Sequence, residues 1–242
     1  MMAIAPTDLI DLIESQRFGV EYQPIIHIED RSLFAYEALA RFYDRNQEPL
    51  RPDLVYASLH DSPISLFQVE YQQKRLQLAH APRDVPTFVN LDQDSYFSSG
   101  IQGDDNPFLT LFKQHNDKDI IVELIENSEL NDAIMSLSMI DSMAKTGLST
   151  AIDDVFNPQC MISTSVIQMV DFIKLDKQVV KKRNDEEFLL LVKMMVQYAK
   201  QTNKRIILEG IESEADLDFA RELGVDLVQG FLYRERFVCI RN

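Results

Sequence analysis

The chain has 242 residues, 45% of them hydrophobic, enough for a full globular core in one large domain or two small ones. Its formal net charge of −15 excludes a non-specific binder of polymeric nucleic acid, whose phosphates need Lys and Arg, but leaves room for a phosphate ligand held through divalent cations. Two cysteines, Cys160 and Cys239, exclude a disulfide framework and a cysteine-based zinc site. No leader-like opening and no bilayer-length apolar run is present, so the chain is expected to be soluble and cytoplasmic.

The segment PTDLIDLIESQ carries apolar residues at helical spacing behind a Thr7 or Asp8 cap. FGVEYQPIIHI then alternates as a strand should, and the short EDRS turn leads to LFAYEALARF as its antiparallel neighbour. From Pro52 to His80 the pattern is helical, with a break near Asp61-Ser62-Pro63. Apolar strands follow at TFVNL, DIIVELIE, LSTAIDD, DFIKLD and RIILEGIE, with a weaker one at LVQGFLY. Helical segments lie between them, around PFLTLFKQH, ELNDAIMSLSMIDSMAKTG, EEFLLLVKMMVQYAKQTN and EADLDFARELG. This alternation predicts a parallel sheet covered by helices. Eight strand candidates suit a closed barrel, with an open doubly wound sheet as the competitor. No Pro/Gly/Ser linker interrupts the chain, so residues 1–242 are expected to form one domain.

Polar residues fall at or just beyond the C-terminal ends of the strand candidates: Glu37, Asn90, Glu123 with Glu126, Asp153 with Asp154, Lys174 with Asp176, Glu209 with Glu212, and Gln229. Any one acid in such a place reads as a helix cap. Six or more carboxylates around one barrel mouth would repel strongly unless cations bind there. Oxygen donors without Cys or His select hard ions, Mg²⁺ or Mn²⁺. Displacement at phosphorus uses two ions about 4 Å apart joined by a bridging carboxylate. Asp153, flanked by a second acid, is placed for that bridge. The four histidines show no paired spacing and receive no catalytic role, and Cys160 reads as a free thiol filling a gap.

The runs YQPI, YEALARF, FVNL, VELIE, IDD, FIKLD, EGIE and QGFLY resemble, in order and spacing, the motifs of the EAL-domain cyclic di-GMP phosphodiesterases, from Phe18 to Tyr233. The resemblance implies an α/β, TIM-like barrel with an antiparallel first strand. It also implies two divalent cations, Mg²⁺ or Mn²⁺, a homodimer, and hydrolysis of cyclic di-GMP to the linear dinucleotide pGpG. Carried over position by position, it implies that Glu37, Asn90, Glu123 and Asp153 hold one ion. Asp153, Asp154 and Glu209 surround the second, with Glu209 also a candidate base. Lys174 matches a lysine that contacts the attacking water, and Gln23 and Arg41 match residues that grip the ligand. Glu126, Asp176, Glu212 and Gln229 match supporting positions.

Two stretches depart from the family. Its members commonly continue the acid pair as D-D-F-G-x-G, whereas this chain reads Asp153-Asp154-Val155-Phe156-Asn157-Pro158-Gln159-Cys160. A loop that used positive φ at those glycines is not expected to be copied by Phe and Pro, since Pro fixes φ near about −65°. After QGFLY the family commonly has Lys-Pro and a last helix, but this sequence reads RERFVCIRN, so the C-terminal helix is expected to be truncated or absent. These changes spare the metal ligands. The expectation is a phosphodiesterase of slow or conditional turnover, with a cyclic di-GMP-binding module of negligible turnover as the alternative. A pure scaffold has no need for the ligand set.

Overall fold

The computed structural model describes residues 4–101, 103–124, 130–161 and 163–242. Its strands are β1 (Phe18–His27), β2 (Leu33–Tyr43), β3 (Pro49–Leu50), β4 (Thr87–Leu91), β5 (Ile120–Leu124), β6 (Ser149–Val155), β7 (Phe172–Leu175), β8 (Arg205–Leu208), β9 (Leu227–Val228) and β10 (Val238–Arg241). The helices are α1 (Pro6–Ser15), α2 (Pro52–Leu59), α3 (Pro63–His80), α4 (Gln93–Ser98), α5 (Pro107–Gln114), α6 (Leu130–Lys145), α7 (Thr164–Met169), α8 (Gln178–Lys181), α9 (Glu186–Gln201) and α10 (Glu214–Leu223).

Eight strands close on themselves in the order β1-β2-β4-β5-β6-β7-β8-β9 and back to β1. From β2 to β9 neighbours run parallel, while β1 is antiparallel to both β2 and β9. The predicted barrel and its reversed first strand are therefore present, built from the eight predicted strands. Reversal follows from the EDRS turn. Asp30 Oδ1 accepts from the Ser32 backbone at 2.9 Å and its hydroxyl at 2.6 Å, and Arg31 takes φ 59°. A turn so short returns the chain beside its own strand.

The barrel interior is floored by one apolar side chain from each strand: Ile25, Ala35, Phe88, Ile121, Ala151, Phe172, Ile207 and Leu227. The opposite faces of the same strands pack under the helices in the main core, through Val89, Val122, Ile152, Ile173, Leu208 and Val228 among others. Burial on both faces is why β5 and β7 read as unbroken apolar runs apart from one charged residue each.

The β1–β2 hairpin is longer than its parallel neighbours and rises above the rim. There β10 pairs with the first half of β1 and β3 with the end of β2. Beneath this extension Leu12, Phe18, Phe42, Val55, Leu59, Leu66 and Val69 form a separate core. β2 thus runs on to Tyr43, which places Glu37 in mid-strand rather than at the strand's end. A 3-10 turn over Phe231–Arg236 leads into β10, whose F-V-C-I-R run has the alternation of a strand. No helix among the described residues is long and apolar enough to cross a membrane.

Candidate active site at the barrel mouth

Strand side chains repeat every second residue, so the layer above the apolar floor follows by counting. Two residues toward the mouth from each floor residue stand Gln23, Glu37, Asn90, Glu123, Asp153, Lys174, Glu209 and Gln229. Each of the eight strands therefore contributes one polar residue to a single ring, and each is a residue the sequence had singled out. Glu123 and Lys174 are fully buried, and Glu37 and Gln229 nearly so.

Lys174 Nζ occupies the centre. It lies 2.8 Å from Glu209 Oε1, 3.0 Å from Glu123 Oε1, 3.0 Å from Asp153 Oδ1 and 3.3 Å from Glu37 Oε1. Asn90 Nδ2 donates to Glu37 Oε1 at 3.1 Å, and Gln229 Nε2 to Glu37 Oε2 at 2.6 Å. Burial alone would lower the lysine's pKa, but the four carboxylates outweigh it and hold the pKa well above the usual value. Burial drives Glu123 well above the ordinary range, reinforced by repulsion from Glu37. Burial likewise pushes Glu37 up, but Lys174 and the hydrogen bonds around it win and hold it below its usual value. Glu209 is pushed up to about 8, by burial first and then by the charges of Asp153 and Glu37.

Adjacent residues of a regular strand point to opposite faces, which would send Asp154 away from Asp153. β6 avoids this with a bulge. Its register against β7 shifts between Ile152 and Val155, and Asp154 takes φ 58°. Asp153, Asp154 and Glu209 consequently bring ligand oxygens within 4.8 Å of one another, as do Glu37, Glu123 and Asp153. Asp153 belongs to both groups. Burial and the neighbouring Asp153 and Asp176 raise Asp154 to about 6.

The remaining predicted residues fall into place unequally. Asp176, just past β7, is buried and accepts from the Gln178 backbone at 2.8 Å, shaping the turn beside Asp154. Glu209 follows β8 directly, and Gly210 after it takes φ 74° with the position of a Cβ only 2.4 Å from the Lys177 Cβ. Gly230, behind Gln229, packs on the Ile211 backbone so closely that a Cβ would sit 2.1 Å from its oxygen. Glu212 is exposed and lines the rim of a cavity of about 300 Å³ together with Gln23, Glu37, Asp153, Glu209 and Gln229. Glu126 lies outside the described residues. Arg41 stands higher on β2, its Nη2 2.6 Å from Glu21 Oε1. Gln23 Nε2 donates to the same oxygen at 2.8 Å. Glu21 itself had no sequence signal, because only the cross-strand register brings it between these two.

One sequence expectation is corrected. Phe156, at the position of the family's first loop glycine, does adopt the left-handed conformation, with φ 74°. Its ring is held edge-on to Phe188 with centroids 5.6 Å apart, which compensates part of the backbone strain.

The model of the EAL domain matches residues 7–235 of this chain. The bifunctional diguanylate cyclase/cyclic di-GMP phosphodiesterase MucR of Pseudomonas aeruginosa is 24% identical over 233 residues, covering 93% of this chain and 34% of that protein. The cyclic di-GMP phosphodiesterase PdeL of Escherichia coli is 22% identical over 238 residues, covering 95% of this chain and 65% of that protein. The chain thus spans less than two thirds of either relative. Among solved structures, the Bacillus subtilis YkuI protein with an EAL domain, in complex with substrate c-di-GMP and calcium, superposes with a TM-score of 0.79 at 19% identity, over 99% of this chain and 59% of that one. The FimX EAL domain of Pseudomonas aeruginosa bound to c-di-GMP gives a TM-score of 0.72 at 19% identity, over 94% of each chain. With a matching fold, a polar ring at the barrel mouth and a family match over nearly its whole length, the chain belongs to the EAL domain family.

Proposed function

We propose that this chain is a divalent-metal-dependent phosphodiesterase that opens cyclic di-GMP to the linear dinucleotide pGpG, acting as one unit over residues 1–242. The observation that carries the reading is the convergence of Glu37, Glu123, Asp153 and Glu209 on the single Lys174, with Asp154 brought alongside by the bulge. One ammonium cannot neutralise so many acids. Among the described residues, both Glu123 oxygens are buried and accept no hydrogen bond beyond the ion pair with Lys174. An all-oxygen donor set of this kind fits Mg²⁺ or Mn²⁺.

Glu37, Asn90, Glu123 and Asp153 would hold one ion, and Asp153, Asp154 and Glu209 the other. Two such ions, when bound, supply neutralisation of the diester oxygens and a more acidic water. Lys174 orients that water by donating to it from a fixed, buried position. Glu209, beside Lys174 and Asp153, is placed to ligate an ion or to take up a proton. Arg41 and Gln23 hold the ligand's phosphate and guanine portions, the guanidinium making paired contacts that a lysine could not. Glu126, Asp176, Glu212 and Gln229 support these groups. The same proposal includes a homodimer, in which a second copy covers the groove of about 400 Å³ lined by Phe156, Ile167, Leu191, Met194, Met195 and Tyr198, of which Leu191 and Met194 are exposed.

The test is turnover of cyclic di-GMP by purified protein with Mg²⁺ or Mn²⁺, with products separated by chromatography. pGpG is expected from wild type and is lost when Glu37 or Asp153 is replaced by Ala. Tight binding of cyclic di-GMP with no turnover under any divalent ion would establish the alternative, a receptor module. The strained, glycine-free Phe156-Asn157-Pro158 stretch is the observation that favours it.

A further inference from the structure

Above the polar ring, β1 and β2 continue in register as Gln23↔Glu37, Glu21↔Leu39 and Gly19↔Arg41. Side chains two apart share a face of a strand. Gly19, Glu21 and Gln23 therefore stand beside Glu37, Leu39 and Arg41 on the face that rises from the mouth. The alternate residues Val20 and Tyr22 are buried on the other side, where the Tyr22 hydroxyl donates to the Gln77 backbone at 2.6 Å.

Glu21 occupies the middle of this face. An isolated carboxylate there would repel a ligand with two phosphates. Glu21 is not isolated. Its Oε1 accepts from Arg41 Nη2 at 2.6 Å and from Gln23 Nε2 at 2.8 Å, and its Oε2 from Cys239 Sγ at 3.4 Å. Cys239 comes from β10, the strand that follows the 3-10 turn after β9, and lies opposite Glu21 in register. Arg41 is held at a second point, since its Nη1 donates to the Ala40 backbone at 2.8 Å. Two anchors fix the plane of the guanidinium and leave its other N–H bonds directed elsewhere.

We propose that Glu21 is a positioning residue for ligand binding, a carboxylate that fixes Arg41 and Gln23 in the orientation in which they meet the phosphates of a cyclic dinucleotide. The inference rests on the reading of Arg41 and Gln23 as ligand-gripping residues. Pre-organised donors bind more tightly than donors that must be ordered by the ligand. Glu21 gains its effect through those two neighbours, with no contact to the reacting atoms.

Calorimetry with cyclic di-GMP on Ca²⁺-loaded protein tests this with Glu21→Ala, Glu21→Gln, Arg41→Ala and the double variant Glu21→Ala/Arg41→Ala. Glu21→Ala should raise Kd about tenfold. Glu21→Gln, whose amide oxygen still accepts from Arg41, should recover most of that loss. The double variant should bind no more weakly than Arg41→Ala alone. The Arg41 Nη–H resonances in ligand-free protein provide a second readout, expected to exchange slowly in wild type and Glu21→Gln and rapidly in Glu21→Ala. Tighter binding by Glu21→Ala would make Glu21 a competitor for Arg41 and overturn the proposal. Losses that add in the double variant, or an Arg41 signal indifferent to Glu21, would overturn it as well. A wild type that does not bind cyclic di-GMP sinks the functional reading instead, and the Arg41 resonance then decides the role of Glu21 by itself.

Discussion

Carboxylates about 4 Å apart repel by about 4 kcal/mol even at an effective dielectric of 20, so the protonation of single residues governs the stability of the mouth. Glu209 titrates at about 8 against an ordinary 4.5, and Asp154 at about 6 against 3.8. A carboxyl with a raised pKa in the fold binds its proton more tightly there than in the unfolded chain. Its contribution is therefore full at low pH and is lost as pH rises through the window between the two values. Lys174, raised above its ordinary value, stays charged throughout that window and adds no slope. The melting temperature of metal-free protein should accordingly fall from pH 5 to pH 8. Added Mg²⁺ or Mn²⁺ should raise it more at pH 8, where fewer protons have to leave. Thermal unfolding with and without the ion, at both pH values, checks this. A stabilisation by the ion that is larger at pH 5 would contradict the assigned shifts. At this scale the sequence was informative where one strand suffices. An apolar residue followed two places on by a polar one, as in A-Y-E, F-V-N, I-V-E and F-I-K, marks the floor and the ring together. Glu21 could not be found that way, because its partner Arg41 is twenty residues away across a hairpin.

At the scale of elements, the segment after β6 is where local chemistry and local conformation disagree. Asp154 and Phe156 both lie in the left-handed region, which for residues other than glycine costs of order 1–3 kcal/mol each. The bulge that strains Asp154 also turns its carboxylate to the ring, so that strain serves the site. Phe156 instead reaches outward to Phe188 on α9. Replacing Val155→Phe, Phe156→Gly, Asn157→Thr and Pro158→Gly should relieve the backbone while the ring, fixed by strand ends, keeps its ions. The expected result is a kcat on cyclic di-GMP higher by roughly an order of magnitude, about 1.4 kcal/mol of barrier, with unchanged Mg²⁺ affinity. Rapid wild-type turnover that these changes fail to improve would show that the segment is not limiting. Existence and order of the barrel strands were legible, since each is a short apolar run between turn signals. The bulge, the short helices α4, α7 and α8, and the place of Glu37 within β2 were not. A-L-A-R-F-Y alternates as well beyond Glu37 as before it, so nothing in the sequence marks where the barrel rim lies.

For the molecule as a whole, the apolar floor is the structural base on which the ring stands. Phe88 is its largest fully buried side chain, with ring centroids 5.2 Å from Phe172 and 6.5 Å from Phe34. Phe88→Ala should cost about 3–5 kcal/mol, the range for deleting a buried phenyl group, measured by urea unfolding. A cost below about 1 kcal/mol would mean that the floor collapses readily and does not set the height of the ring.

The floor has a kinetic side too. Eight strands supply one apolar side chain each, so the barrel is a blind well, open only at the rim where β1 and β2 rise. Whatever enters must leave by the same door, and arrival and departure exclude each other. On the proposed hydrolysis, the departing linear dinucleotide would be a natural rival of the next cyclic one, by geometry alone and without any second site.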